Sequence, residues 1–159
     1  VGGPWRCSAW SGGLGLDRFI FDTFFSYGAL GGLARRGHGD GGGGSPPPAP
    51  FFVEAGANDG ITYSNTAALE ACFGWRGLLV EPDPRAFARL AQVREGSVRI
   101  HGCLAATKEQ QTFYLLQGDD NPKSSLLTTA DPQAETLKTA SPEQIVRQQV
   151  QCDTLGSLL

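Results

Sequence analysis

The sequence predicts an α/β domain built on a parallel sheet. Three short apolar segments, residues 51–55, 78–81 and 98–105, alternate with two stretches of good helix formers, residues 62–73 and 84–94. Short apolar runs that end in polar residues are typical of strands buried on both faces. Because strand–helix–strand connections are right-handed, this alternation places the three strands side by side and parallel in one sheet.

The two predicted helices carry signals at their ends. Gly74 directly follows the first, where a glycine commonly terminates a helix. Pro84 stands at the first position of the second, where its missing amide hydrogen would have no intrahelical partner anyway. These two residues support the assigned order of strands and helices.

The C-terminal third gives weaker signals. Residues 111–116 predict a further strand, and residues 118–125, rich in Asp and Asn, predict a polar turn. The sequence SPEQ has the capping-box pattern with proline at the first helical position, so it predicts a helix over residues 141–147. Residues 150–152 predict a short strand, and residues 154–159 begin an apolar helix.

The first fifty residues differ in composition from the rest. In an N-terminal flank of residues 1–36, residues 16–30 carry apolar side chains at helical spacings, which predicts a short amphipathic helix packed on the sheet edge. Residues 37–50 (GHGDGGGGSPPPAP) predict a linker or a disordered loop. We therefore expect the α/β domain to occupy residues 51–159.

Composition limits the classes of partner. A length of 159 residues suits one core-forming domain, and a net charge of -3 with a pI near 5.3 gives no reason to expect nucleic acid or an anionic membrane. The sequence contains no run of eighteen apolar residues, so it predicts no membrane-spanning segment. Because it begins with valine and lacks methionine, we expect a piece of a longer product, which leaves the compartment open.

The cysteines argue against a metal site. Cys7, Cys72, Cys103 and Cys152 are scattered without a C-x-x-C pair, and the chain has 2 histidines. Zinc ligands normally recur at short fixed spacings. We therefore predict no metal, and we expect the cysteines to be buried free thiols.

The most informative segment lies where the first strand must turn into the first helix. Gly56 and Gly60 would let the backbone approach a ligand there. A dinucleotide site requires G-x-G-x-x-G, but an alanine and Asn58 stand where the second glycine belongs, and Glu54 precedes the first. An anionic pyrophosphate therefore fits poorly. A ligand with a cationic amino group fits better, because Glu54 and Asp59 would attract it.

A second acid supports this interpretation. Glu81 ends the second predicted strand, about twenty residues after Gly60, where a carboxylate accepts both ribose hydroxyls in folds of this kind. The alternatives are that residues 58–60 form only a tight turn and that Glu81 only caps the helix after Pro82. His101, near the end of the third strand, is more simply a strand residue than a base.

The segments FFVEAGANDGITYSNTAALE and GWRGLLVEPDPRAF resemble the FkbM-type methyltransferase family, including its eukaryotic Star-like branch. More loosely, residues 16–25 resemble the leading helix of that family, and VQCDTLGSLL resembles a later strand and helix. The resemblance implies a Rossmann-like class I methyltransferase fold, with helices on both faces of a parallel sheet, and O-methyl transfer from S-adenosylmethionine.

The resemblance also implies a cofactor site of six residues: Glu54, Gly56, Asn58, Asp59, Gly60 and Glu81. Glu54 and the two glycines match the motif that wraps the methionine part of S-adenosylmethionine. Glu81 matches the acid that binds ribose. Residues 101–105 correspond to the region that borders adenine.

In that family, an Asp and then a Glu-Gly pair near the transferred methyl group follow the segment that ends here at Leu159. We therefore expect a sheet that is incomplete at its C-terminus, catalytic residues that cannot be assigned, and a 159-residue piece that is inactive alone. The acceptor, a small molecule or a glycan-like compound, is not identified. The alternative is a non-catalytic Rossmann-like binding or trafficking module. A nicotinamide oxidoreductase is disfavoured by the missing glycine.

Overall fold

The computed structural model describes residues 18–19, 50–116, 127–128 and 141–159 as a mixed α/β structure with two open sheets. Of the N-terminal flank, Arg18 and Phe19 are described, and both are helical. The remainder of the predicted N-terminal helix, nearly all of the linker and the predicted polar turn lie outside the described residues. Among the helices of the described residues, none has the length and hydrophobicity that a membrane span requires.

The first sheet confirms the predicted parallel arrangement. Its strands are β1 (Phe51–Ala55), β2 (Arg76–Glu81) and β3 (Val98–His101), in the order β1-β2-β3. Both strand pairs are parallel. In their registers Ala55 pairs with Val80, and Glu81 pairs with His101. Helix α1 (Ala67–Phe73) connects β1 to β2, and helix α2 (Pro84–Val93) connects β2 to β3. The carboxyl ends of the three strands therefore meet at one edge.

The ends of both helices follow from local sequence. Gly74 ends α1 with a φ of 70°; its N–H donates to the Glu70 carbonyl at 3.3 Å, and the Trp75 N–H donates to the Leu69 carbonyl at 3.2 Å. Asp83 caps the N-terminus of α2 by accepting the Arg85 N–H at 2.8 Å, ahead of a proline at the first position. Helix α1 begins five residues later than predicted, because the turn before it bonds to β1 instead.

The second sheet is mixed and has the order β4-β7-β5-β6. Its strands are β4 (Cys103–Leu104), β5 (Glu109–Leu116), β6 (Leu127–Thr128) and β7 (Ile145–Asp153). Strand β7 pairs parallel with β4 and antiparallel with β5. A short helix α3 (Leu155–Leu158) follows, as predicted, with the Thr154 side chain capping its N-terminus.

The predicted helix over residues 141–147 is wrong. The capping interaction does form, since the Gln144 side chain accepts the Ser141 N–H at 3.0 Å. It supports only the 3₁₀ turn Pro142–Gln144. Strand β7 starts at Ile145 because its β-branched first residues, Ile145 and Val146, pair with the end of β5. The predicted three-residue strand at 150–152 is therefore the end of a nine-residue strand.

The third predicted strand is divided at Gly102. Its first half, β3, pairs with β2, and its second half, β4, pairs with β7. The Gly102 N–H donates to the Glu81 carbonyl at 3.1 Å, while a Cβ at Gly102 would lie 2.7 Å from the Gln151 carbonyl oxygen. Glycine therefore allows the chain to pass between β2 and β7 and to join the two sheets.

Two hydrophobic clusters stabilise these sheets. The larger one lies between the parallel sheet and its helices and contains Phe52, Ala57, Leu69, Trp75, Leu79 and Leu90. The smaller one lies on the second sheet, where Phe113, Val150 and Cys152 pack with Cys103. Leu79 and Leu90 are both fully buried, so the helix-covered face of the parallel sheet is the main core.

The expectation of free thiols is wrong. Cys103 and Cys152 form a disulfide across the β4–β7 pair, where they are direct partners with Cα atoms 4.3 Å apart. Cys72 is disulfide-bonded as well. Local sequence patterns could not predict this bond, because Cys103 and Cys152 are 49 residues apart. Their contact depends on a strand pairing that the cysteine spacing does not reveal.

Candidate ligand-binding site

A cavity of about 550 Å³ opens at the carboxyl edge of the parallel sheet, against the second sheet. Nine described residues line it: Ala55, Gly56, Val80, Pro82, Gly102, Cys103, Leu104, Gln111 and Phe113. They come from the ends of β1 and β2, from the β3–β4 junction and from β5. None of these nine carries a charge, and Gln111 supplies the one polar side-chain amide among them. Ligand sites in open α/β sheets lie at this edge.

Gly56 has room beside it for a ligand. Its φ is 76°, and no heavy atom lies within 4 Å of the position that a Cβ would occupy. Its N–H donates to the Val80 carbonyl at 2.9 Å, so the backbone turn is fixed to β2. The glycine therefore satisfies a backbone requirement and exposes main chain to the cavity.

Gly60 is explained differently. Its φ is 82°, but a Cβ there would lie 2.7 Å from both Arg94 Cγ and Leu90 Cδ1. This glycine allows the loop to pack against α2. The structure therefore gives Gly60 a packing role, and the prediction that Gly60, like Gly56, lets the backbone approach a ligand is not needed to explain this glycine.

Asn58 and Asp59 shape the loop between the two glycines. Asn58 has a φ of 51°, and its N–H donates to Glu81 Oε2 at 2.6 Å. Asp59 Oδ1 accepts the N–H groups of Ile61 and Thr62 at 2.9 and 2.7 Å. Burial alone would raise the pKa of Asp59, but these hydrogen bonds, with one from the Thr62 hydroxyl and the nearby charge of Arg89, lower it below the usual value.

Glu81 lies where the sequence placed it, at the end of β2, and its side chain joins two loops. Its Oε2 accepts the Asn58 N–H, and its Oε1 accepts the Asp83 N–H at 2.8 Å. The residue is 1% exposed. Burial raises the pKa of Glu81 to about 7, and the charges of Asp83 and Asp59 act in the same direction against the two amides. The helix cap of α2 is Asp83 rather than Glu81.

Glu54 lies on the same face of the sheet as Glu81. It pairs with Leu79, which is two residues before Glu81 on the adjacent parallel strand. Its carboxylate accepts hydrogen bonds from the Ser64 hydroxyl at 2.9 Å, the Asn65 N–H at 2.7 Å and the Thr66 hydroxyl. The structure thus brings the two predicted acids to one edge, with Glu54 bonded to the turn before α1.

His101 is bound within the fold. Its Nε2 lies 3.0 Å from the Pro82 carbonyl oxygen, and its ring stacks on Phe87 at a centroid distance of 5.2 Å. This geometry agrees with the interpretation of His101 as a strand residue. In the part of the chain that the structure describes, no group of three or more His, Cys, Asp or Glu residues forms a metal-binding cluster.

Sequence reasoning missed three residues around this site. Gln111 and Phe113 reach the cavity from β5, and Arg94 contacts the loop from the end of α2. Residues 111–116 predicted a strand, but not which cavity that strand would border. For Arg94 there was no local signal, because its partner Gly60 is 34 residues away in the chain.

No protein-family model, no curated protein and no solved structure matches this chain. Functional inference therefore depends on the residues and on the geometry of the cavity.

Proposed function

We propose that this chain carries the cofactor-binding part of an S-adenosylmethionine-dependent methyltransferase that transfers a methyl group to oxygen, as its resemblance to the FkbM-type family implies. The observation that carries the proposal is the cavity at the sheet edge, with Gly56 open to it and the Glu81 carboxylate bonded to the loop beside it. The parallel order of β1, β2 and β3 fits a Rossmann-like class I fold.

The chemistry of the lining supports an uncharged, partly aromatic ligand portion. Its nine described residues are apolar or backbone-exposing apart from Gln111, and a pyrophosphate would require basic side chains or a helix N-terminus. Adenine, and the thioether chain of the demethylated product S-adenosylhomocysteine, are compatible with such walls. The open space beside Gly56 lets a ligand approach the main chain without a side chain in the way.

Glu81 supplies the acid for ribose in this proposal. Each of its oxygens accepts one N–H in the structure, and a carboxylate oxygen can accept two hydrogen bonds. Glu81 is 1% exposed and is not among the nine residues that line the cavity, so contact with ribose requires the groups that cover its carboxylate to move. Ionised Glu81 is the better acceptor of two hydroxyl protons, so its raised pKa makes ligand affinity depend on pH near neutrality.

S-adenosylmethionine supplies an electrophilic methyl group when bound, and transfer depends mainly on holding donor and acceptor in line. The nine described lining residues include no acid, histidine or lysine to act as a base. We therefore assign the chain's own residues to binding and orientation, and we assign no catalytic residue.

Calorimetry with S-adenosylhomocysteine tests the proposal. We expect binding by the wild-type protein, loss of binding in Gly56→Leu, and affinity reduced by about tenfold or more in Glu81→Gln, since an amide cannot accept from both ribose hydroxyls equally. Gly74→Leu is the matched control, because Gly74 has a φ of 70°, an equally open Cβ position and no place in the cavity lining.

The outcomes are distinct. Equal binding by Gly56→Leu and Gly74→Leu would show that the cavity beside Gly56 is not the binding site. No heat with S-adenosylhomocysteine at millimolar concentration would refute the proposed cofactor, and tight binding of NADH instead would favour a nicotinamide enzyme.

The second candidate is a non-catalytic Rossmann-like binding module. The observation that favours it is the same uncharged lining, which offers recognition without proton-transfer groups. Binding of S-adenosylmethionine without methyl transfer to any of a panel of alcohols, carboxylates and sugars, measured on the longest natural product that contains this chain, would favour the module.

A further inference from the structure

The side chain of Arg94 hydrogen-bonds to the candidate ligand loop, residues 56–66, from the α2 side. Arg94 follows α2 as its C-cap residue and is 2% exposed. Its guanidinium lies beneath the loop and 5.6 Å from the centroid of the Phe52 ring. A fully buried guanidinium is costly unless its charge and donors are satisfied, so its partners indicate its role.

Three of those partners belong to the loop. Arg94 Nη1 donates to the Gly60 carbonyl at 3.1 Å and to Ser64 Oγ at 3.0 Å, and Nη2 donates to Thr66 Oγ1 at 3.0 Å. The planar guanidinium of an arginine has five N–H donors and can reach three such acceptors together. The compact ammonium group of a lysine spans them less well. Glu70 of α1 pairs with the same guanidinium at 3.1 Å.

Arg94 also compensates the charge of Glu54. Nη1 lies 4.0 Å from Glu54 Oε2, and the two groups share Ser64 and Thr66 as hydrogen-bonding neighbours. Glu54 therefore binds the turn from the β1 side while Arg94 binds it from the α2 side. The loop is clamped between two buried opposite charges.

The loop needs this clamp because its backbone is strained. Asn58 and Tyr63 have φ values of 51° and 60°, which lie in the left-handed region that residues other than glycine rarely adopt. Such conformations persist where surrounding contacts determine them. The Asn58 N–H that reaches Glu81 depends on this conformation.

We propose that Arg94 is a positioning residue for the ligand site, acting through Glu54, Ser64 and Thr66 to fix the loop that carries Gly56 and the Asn58–Glu81 bond. The identity of the ligand in this inference rests on the proposed function. The positioning role itself does not, because it concerns the conformation of the loop in the protein alone.

The test compares Arg94→Lys with Arg99→Lys. Arg99 contacts the same end of α2, through the carbonyl groups of Ala91 and Arg94, but bonds to no loop residue, so its variant is the matched control. Thr66→Val removes the hydroxyl that accepts from Arg94 and donates to Glu54, with little change of shape, and it serves if Arg94→Lys does not fold. Thermal melts define a temperature at which all the variants are folded.

Two readouts are made at that temperature. Affinity for S-adenosylhomocysteine is expected to fall by about tenfold or more in Arg94→Lys, less in Thr66→Val and within about twofold in Arg99→Lys. Amide exchange at Ile61 and Thr62, whose N–H groups bond to Asp59, is expected to accelerate by about tenfold in Arg94→Lys and not in the control.

Unchanged exchange in Arg94→Lys overturns the positioning role, as does wild-type affinity in that variant. Failure of the wild-type protein to bind refutes the proposed function instead, and the exchange rates then decide the role of Arg94 without any ligand.

Discussion

Replacing Glu81 with glutamine removes a buried carboxyl group whose pKa lies at about 7, against an ordinary value of 4.5. Below pH 4.5 both the folded and unfolded proteins hold this proton. As the pH rises from 4.5 to 7, the unfolded chain releases it while the folded protein keeps it, so the free energy of unfolding falls. Above pH 7 both states are ionised and the slope disappears.

The size of the effect follows from the difference in pKa. A difference of about 2.5 units, at 1.36 kcal/mol per unit, predicts that wild-type protein loses about 3 kcal/mol between pH 4.5 and 8 through this group. Glu81→Gln cannot titrate there. The pKa of Asp59 is lowered instead, so Asp59 contributes stability that is lost only in acid, as the pH falls through the folded pKa. Its effect on the free energy of unfolding therefore does not change with pH over this range, in either protein.

The assay is urea unfolding of both proteins at pH 5, 6, 7 and 8, with disulfides intact. We expect the wild-type free energy of unfolding, relative to Glu81→Gln, to decline steadily over this range and to level off near pH 8. A flat difference, or one that grows with pH, would refute the argument that burial dominates the electrostatics of Glu81.

Three further predictions concern the loop, the disulfide and pH. Gly60→Ala is expected to cost about 2–4 kcal/mol of unfolding free energy and Gly56→Ala about 1 kcal/mol, because both strain the backbone but only the first clashes with α2; similar costs in urea titrations would contradict this. The double variant Cys103→Ala, Cys152→Ala is expected to lose about 4 kcal/mol, the chain-entropy value for a 49-residue separation, and an unchanged urea midpoint would be inconsistent with it. Affinity for S-adenosylhomocysteine is expected to rise as Glu81 ionises between pH 6 and 8; calorimetry at the two pH values checks this, and a fall would count against ribose binding by Glu81.

The parallel sheet was predictable because its signals are local. Gly74 and Pro84 mark helix ends through their own backbone chemistry, and the apolar run before Glu81 places this acid at the end of a strand. The second sheet was harder. Residues 145–147 have a helix-capping sequence before them, and their pairing with β5, about thirty residues earlier in the chain, overrides it.

The candidate site was predictable in position and less so in detail. The residue order around Gly56 and Glu81 located the edge where the loop meets β2. Whether Gly60 faces a ligand or a helix depends on Arg94, which local patterns cannot connect to it. The structure shows the Glu54 carboxylate bonded to the turn before α1. That Glu54 attracts a ligand amine stays a prediction.

Chemical-shift mapping of the 15N-labelled protein with S-adenosylhomocysteine tests the central claim most directly. We expect the largest changes at the amides of Gly56, Asn58, Asp83 and Gly102, which border the cavity or donate to Glu81. Shifts confined to the outer strands of the second sheet, or none at millimolar ligand, would contradict it.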